Sequence, residues 1–110
     1  MSKAFADVTM FYGDECVYCH KMMPIVEQLE KELSVTIQKL EVWHNEGNAS
    51  RMSEYETILR EACGGGIGVP NFINTTTKKA LCGYVPYDEF KKWFLSSSET
   101  VASEHMSRRP

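Results

Sequence analysis

Two cysteines separated by two residues, Cys16 and Cys19, are the side chains in this sequence best suited to chemistry. They follow a run of β-branched and aromatic residues, 8–12, which is typical of a strand buried on both faces. From Cys19 onward, apolar residues recur at spacings of three and four, which predicts a helix. The pair therefore lies where a strand passes into a helix.

The start of a helix favours a thiolate, because its first N–H groups have no partner and the positive end of the helix dipole lies there. The thiolate is the nucleophilic form of cysteine. We expect Cys16, the outer residue, to attack a disulfide, and Cys19, on the buried stripe, to resolve the mixed disulfide. Asp14 and Glu15 immediately precede Cys16, and their negative charges oppose thiolate formation.

Length and charge restrict the classes of function. The 110 residues suit one domain, which we place at 1–96 with a flexible polar tail at 97–110. The net charge is −3 and the basic residues are dispersed, which argues against nucleic acid as a partner. No apolar run predicts a membrane span or a secretory signal, so we expect a cytoplasmic monomer that does not bind membranes. In a reducing compartment, four cysteines indicate redox chemistry or metal binding rather than a disulfide framework.

The remaining elements are predicted in the order β-α-β-α-β-β-α. A second strand is expected at 35–43, and a second helix is expected to end before the glycines 64–66. Apolar residues at 72–73 and 80–82 flank a polar turn and predict a hairpin, after which Pro86 opens a last helix. Cys63 is interpreted as an isolated apolar residue that closes the second helix, and Cys82 as a residue in the middle of the sheet.

Four features of the chain resemble the thioredoxin-like superfamily, which includes thioredoxins and glutaredoxins. They are the strand–C-x-x-C–helix junction, Pro24 five residues after Cys19, the Val69-Pro70 dipeptide and Gly83. The resemblance runs from about Val8 to Phe94. It implies an α/β fold with a four-stranded mixed sheet in the order 2-1-3-4, flanked by three helices.

The same resemblance implies roles for individual residues. Pro70 is expected to be cis and to lie against the active cysteines, and the backbone of Val69 is expected to pair with the substrate chain. Tyr18-Cys19 is similar to the active site of glutaredoxins. Thioredoxins, by contrast, have Trp where this chain has Glu15, and Gly-Pro between the two cysteines.

We therefore predict a thiol–disulfide oxidoreductase that reduces or exchanges protein disulfides, in electron transport and cell redox homeostasis. The predicted catalytic residues are Cys16 and Cys19, and the predicted substrate-binding residues are Tyr18, Val69 and Pro70. The expected partners are disulfide-containing proteins and an electron donor, which is either a reductase or glutathione. The prediction includes no cofactor and no metal.

Several alternatives compete with this hypothesis. The cysteines can be an inert buried pair. Residues 16–20 also match the C-x-x-C-H motif to which c-type haem is attached, and such a haem requires export and an axial methionine. A glutaredoxin-like module that binds glutathione or an iron–sulfur cluster, and a zinc site, are further candidates. The segment Trp43-His44-Asn45 is interpreted as a polar loop with an anchoring tryptophan.

Overall fold

A computed structural model of the chain describes residues 4–98, with side chains from residue 6 onward. The predicted tail therefore lies outside the described residues, except for Ser97 and Ser98. Ser97 is buried and is the last residue of the final helix, one position beyond the predicted domain boundary. Among the described residues, no helix combines the length and the apolar character that a membrane crossing requires.

Four strands and four helices make up the described chain. In order along the sequence they are β1 (Ala4–Tyr12), α1 (Val17–Leu33), β2 (Val35–Glu41), α2 (Glu46–Ser53), α3 (Glu56–Cys63), β3 (Asn71–Asn74), β4 (Lys79–Cys82) and α4 (Tyr87–Ser97).

The strands form one mixed sheet in the order β2-β1-β3-β4, which is the order that the resemblance implies. β2 runs parallel to β1, whereas β3 is antiparallel to β1 and β4 is antiparallel to β3. In the centre of the sheet, Met10 lies opposite Lys39 on one side and Phe72 on the other. Because β1 is a central strand, the residues that follow Tyr12 leave the sheet near the middle of the end at which β1 and β2 terminate.

Both faces of the sheet are covered, which explains why β1 is apolar at successive positions. On one face, Met10 and Phe72 pack with Met22 of α1 and Phe90 of α4, all fully buried. On the other face, Phe11, Val42 and Ile73 pack with Met52 of α2, Ile58 of α3 and Tyr55 between the two helices.

The second predicted helix is in fact two helices, α2 and α3, so the sheet is flanked by four helices and the prediction of three is wrong. The backbone leaves the α-helical path at Tyr55, whose φ and ψ are −109° and 24°. There the N–H groups of Glu54 and Tyr55 donate to carbonyls three residues back, from Arg51 and Met52. The change of direction allows side chains of both helices to contact one apolar cluster.

β2 is also shorter than predicted, because it ends at Glu41 rather than at residue 43. The side chain of Glu41 accepts hydrogen bonds from the N–H groups of Trp43 and His44, which turns the chain away from the sheet.

Candidate active site

Cys16 caps the N-terminus of α1. Its backbone is extended, and its Sγ accepts a hydrogen bond from the N–H of Cys19 at 3.1 Å. The Cys16 N–H donates to the carbonyl of Gly13 at 3.1 Å, which closes a turn between β1 and the helix. The sulfur thus takes the position that a serine or aspartate oxygen usually occupies at a helix start. This is the placement that the sequence pattern predicts.

Cys16 and Cys19 are both free thiols, and they differ in their surroundings. Cys16 is 7% exposed and Cys19 is 1% exposed. Burial, together with the hydrogen bond and the charge of Cys16, raises the pKa of Cys19 to about 12. Cys19 is therefore a protonated thiol at neutral pH, and Cys16 is the sulfur that a large molecule reaches first.

The segment around Pro70 lies against Cys16. The Val69–Pro70 peptide bond is cis, and the Cys16 thiol lies 3.6 Å from the Val69 carbonyl oxygen, to which it donates. Pro70 is buried, and its carbonyl accepts from the N–H of Gly83 at 2.7 Å. The structure therefore brings Cys16 together with the two backbone positions named from the sequence, Val69 and Pro70.

Asn71, which was not among the predicted site residues, also bonds to the segment that precedes Pro70. Its side chain is fully buried, and its Nδ2 donates to the carbonyl of Gly68 at 2.8 Å. Asn71 thus fixes the backbone immediately before Val69. The residue stands at the start of β3 directly after Pro70, and this position beside the Val69-Pro70 dipeptide was the available signal.

Tyr18 points into solvent, with 59% of its surface exposed. The Nζ of Lys21 lies over the Tyr18 ring, 5.7 Å from its centroid. Val17 is 63% exposed on the same first turn. The two side chains between the cysteines therefore face outward, and Tyr18, which was predicted to bind substrate, is open to solvent.

The loop after β2 contributes residues that the sequence analysis interpreted only as a polar loop. The Trp43 ring covers Gly13, since a Cβ built on that glycine would lie 2.2 Å from Cδ2 of the indole. His44 Nε2 lies 2.7 Å from the carboxylate of Glu15, the residue before Cys16. The hydrogen bond and charge of Glu15 raise the pKa of His44 above its ordinary value, because they favour the imidazolium.

A signal for this arrangement was present in the sequence. The loops that follow two parallel strands emerge at the same edge of a sheet, where α/β proteins place their sites. β1 and β2 are parallel neighbours, and Tyr12 pairs with Glu41 at their ends. The Trp43-His44 dipeptide therefore had to lie beside the cysteine turn.

The other two cysteines form a disulfide, so the interpretation of Cys63 as an isolated apolar residue is wrong. Cys63 ends α3, and Cys82 ends the edge strand β4 rather than lying in the middle of the sheet. Their Cα atoms are 5.1 Å apart, a separation that a disulfide spans. Both sulfurs lie within 4.0 Å of the Gly68 carbonyl oxygen, which places the disulfide next to the segment that leads to Val69.

Metal-ligating side chains do not cluster in the described part of the chain. Within residues 4–98, no group of three or more His, Cys, Asp or Glu side chains is arranged to hold a metal ion.

Comparison with known proteins gives the fold. No protein-family model matches the sequence, and no curated protein matches it either. Among solved structures, the chain is similar to the glutaredoxin from Methanosarcina mazei Go1, with a TM-score of 0.58, 22% identity, and coverage of 86% of this chain and 84% of the other. It is also similar to a mutant thioredoxin from Halobacterium salinarum NRC-1, with a TM-score of 0.59, 22% identity, and coverage of 91% and 94%. The chain therefore has the thioredoxin-like fold that this glutaredoxin and this thioredoxin share.

Proposed function

We propose that this protein is a thiol–disulfide oxidoreductase that reduces or exchanges disulfides of protein substrates through Cys16 and Cys19. The observation that carries the proposal is the position of the Cys16 sulfur. It accepts the Cys19 N–H at the start of α1 and lies 3.6 Å from the Val69 carbonyl oxygen. A nucleophilic sulfur is thereby combined with a backbone acceptor that an extended substrate chain can use once Cys16 has lost its proton.

The reaction has two exchange steps. In the first, the Cys16 thiolate attacks one sulfur of a substrate disulfide, the substrate S–S bond breaks, and the other substrate sulfur leaves as a thiolate. In the second, Cys19 loses its proton to solvent and attacks Cys16, which releases the second substrate thiolate and leaves a Cys16–Cys19 disulfide. Two electrons pass from the protein dithiol to the substrate. A reductase or glutathione then returns two electrons to the protein.

The raised pKa of Cys19 gives the two steps their order. A thiol with a pKa of about 12 is not a nucleophile at neutral pH, so free Cys19 does not compete with Cys16 for substrate. Once Cys16 is in a mixed disulfide, its sulfur carries no charge beside Cys19 and is a weaker acceptor for the Cys19 thiol. Both contributions raise the Cys19 pKa in the free protein, so we expect Cys19 to become easier to deprotonate when it is needed.

Protein disulfides are the proposed substrates because the sulfur is surrounded by surface suited to a polypeptide. Val17, Tyr18 and Trp43 are each more than half exposed around the cysteine turn. Large apolar and aromatic side chains in such positions are common at sites of protein contact. Val69 contributes a backbone carbonyl on the inner side.

A reduction assay with a single electron donor tests the proposal. Insulin or a small mixed disulfide serves as the substrate, and thioredoxin reductase with NADPH or glutathione is supplied as the only donor. Turnover that disappears in Cys16→Ser supports the proposal. Turnover with glutathione alone would assign the protein to glutaredoxin-type chemistry. An absence of turnover with either donor, together with a coloured protein, would favour the alternative of a module that binds an iron–sulfur cluster.

A further inference from the structure

One carboxylate joins the loop that carries Cys16 to the loop that follows β2. Glu41 Oε2 accepts from the N–H of Asp14 at 3.0 Å and from the N–H of Trp43 at 3.1 Å. Its Oε1 accepts from the N–H of His44 at 2.8 Å. Three backbone donors from two loops therefore converge on one side chain, and one of them lies two residues before the nucleophile.

The backbone pairing of β1 and β2 ends just before this point. Val42 donates to the Tyr12 carbonyl at 2.8 Å, and beyond that bond the described hydrogen bonds between the two loops run through side chains. They are the Glu41 bond to Asp14 and the contact between His44 and Glu15. Glu41 thus extends the connection between the two strands past the edge of the sheet.

The cysteine turn depends on this connection for its shape. Asp14 is tied on both sides, because its N–H donates to Glu41 and its carbonyl accepts from His20 Nε2 at 2.6 Å. The neighbouring Gly13 carbonyl accepts from the Cys16 N–H, and the Trp43 ring covers Gly13 from outside. A turn held at each residue presents the Cys16 sulfur in one orientation.

The hydrogen bonds to Glu41 are strong ones. A carboxylate that accepts N–H groups makes charge-assisted bonds, which are about twice as strong as neutral ones. Although burial opposes its ionisation, the N–H groups of His44, Asp14 and Trp43 lower the pKa of Glu41 below its ordinary value. Glu41 is therefore an ionised acceptor throughout the neutral range.

We propose that Glu41 is a positioning residue for thiol exchange at Cys16, which it serves by fixing the cysteine turn to the Trp43-His44 loop. The hydrogen bonds of Glu41 go to backbone N–H groups and not to the sulfur, so it acts on Cys16 through Asp14. The inference rests on the proposed function for its meaning in catalysis. It deepens that function by assigning a task to the loop after β2.

The sign of the effect separates positioning from simple electrostatics. Replacing Glu41 with Gln removes a negative charge near the thiol, and that change alone would favour the Cys16 thiolate and speed its reaction. Loss of position has the opposite effect, because the turn relaxes and the sulfur is presented in many orientations. A decrease in rate therefore supports the proposal, and an increase or no change contradicts it.

The experiment compares Glu41→Gln with Glu27→Gln, which makes the same chemical change on the exposed face of α1. The measurements are the second-order rate of Cys16 alkylation by iodoacetamide from pH 6 to 9 and the single-turnover rate of disulfide reduction. For Glu41→Gln we expect both rates to fall by about tenfold across the pH range. For Glu27→Gln we expect rates within about 1.5-fold of the wild type, as for a surface change.

Two further readouts keep the test decisive. Hydrogen exchange at the Asp14 amide should be faster in Glu41→Gln and unchanged in Glu27→Gln, because Gln offers one uncharged oxygen where Glu41 uses two carboxylate oxygens to accept three N–H groups. If Glu41→Gln does not fold, Gly13→Ala disturbs the same turn by displacing the Trp43 ring while leaving Glu41 intact, and its Cys16 alkylation should also be slower. An unchanged rate in that variant would overturn the proposal.

The alkylation comparison needs no substrate, so it separates the two proposals. If the wild type reduces no disulfide but Glu41→Gln still slows alkylation, the proposed function fails and the positioning role stands. If the wild type reduces disulfides and Glu41→Gln does so at the same rate, the positioning role fails and the proposed function stands.

Discussion

Cys16 and Cys19 should differ sharply in reactivity when each is studied alone. We compare Cys19→Ser, which leaves Cys16, with Cys16→Ser, which leaves Cys19. The Cys63–Cys82 disulfide is kept oxidised, so that one free thiol remains in each variant among the four cysteines of the sequence. The expected result is rapid alkylation of Cys16 and very slow alkylation of Cys19 at pH 7.

The magnitude for Cys19 follows from its pKa. A rise from 9.0 to about 12 lowers the thiolate fraction at pH 7 by about 1,000-fold. A more basic thiolate is intrinsically more nucleophilic, and a Brønsted coefficient of about 0.4–0.5 restores about 15- to 30-fold. The net decrease is about 30- to 60-fold relative to an ordinary cysteine. Cys16→Ser removes part of the pKa shift, but it leaves burial, the largest cause, in place.

The assay measures iodoacetamide labelling by mass spectrometry, with the same variant unfolded in urea as the reference for an ordinary thiol. We expect folded Cys16→Ser to react at least about tenfold more slowly than its unfolded form. With substrate, Cys19→Ser should accumulate a stable mixed disulfide, because the resolving thiol is absent. The reasoning is refuted if Cys19 in Cys16→Ser reacts as fast as the unfolded reference, or faster than Cys16 in Cys19→Ser.

Three other predictions concern stability and charge. Replacing the second disulfide with Cys63→Ala and Cys82→Ala should lower the free energy of unfolding by about 3 kcal/mol in urea titrations, because the two residues are 19 positions apart and the cross-link restricts the unfolded chain; a decrease below about 1 kcal/mol would contradict this. The pKa of His44, followed by NMR, should lie above 6.5 and should fall in Glu15→Gln. Because the pKa of His44 is higher in the folded than in the unfolded protein, its pairing with Glu15 stabilises the fold at pH values below the unfolded pKa. This stabilisation is lost as the pH rises through the folded pKa. Phe90→Ala should cost about 3–5 kcal/mol in the same urea titrations, since Phe90 is fully buried; a cost near that of a surface substitution would show that the α4 side of the core is poorly packed.

The sequence predicted the junction between β1 and α1 because the signals there are local. The change from a continuous apolar run to a spacing of three and four marks the end of the strand and the start of the helix. Cys16 then falls at the helix N-terminus, and its sulfur accepts the Cys19 N–H there. The hairpin of β3 and β4 was predictable for the same reason, since its turn residues stand between two short apolar runs.

The break between α2 and α3 was not predictable from propensity. The break falls at Glu54 and Tyr55, and neither is a glycine or a proline, the residues that usually mark such a break. The break is decided by packing, because Met52 on one side of it and Ile58 on the other contact the same cluster around Phe11. A continuous helix has a single axis, whereas α2 and α3 approach this cluster along two different directions.

The sequence by itself determined where the proposed nucleophile, Cys16, lies at a helix start and which known site its surroundings resemble, because each depends on residues adjacent in the chain. Only the tertiary structure decided what surrounds that nucleophile. The parallel pairing of β1 and β2 brings Glu41 to Asp14 across 27 positions of sequence, and the packing of α3 beside β4 brings Cys63 to Cys82. Such contacts depend on how separate elements meet, and the spacing of residues along the chain carries no direct record of that geometry.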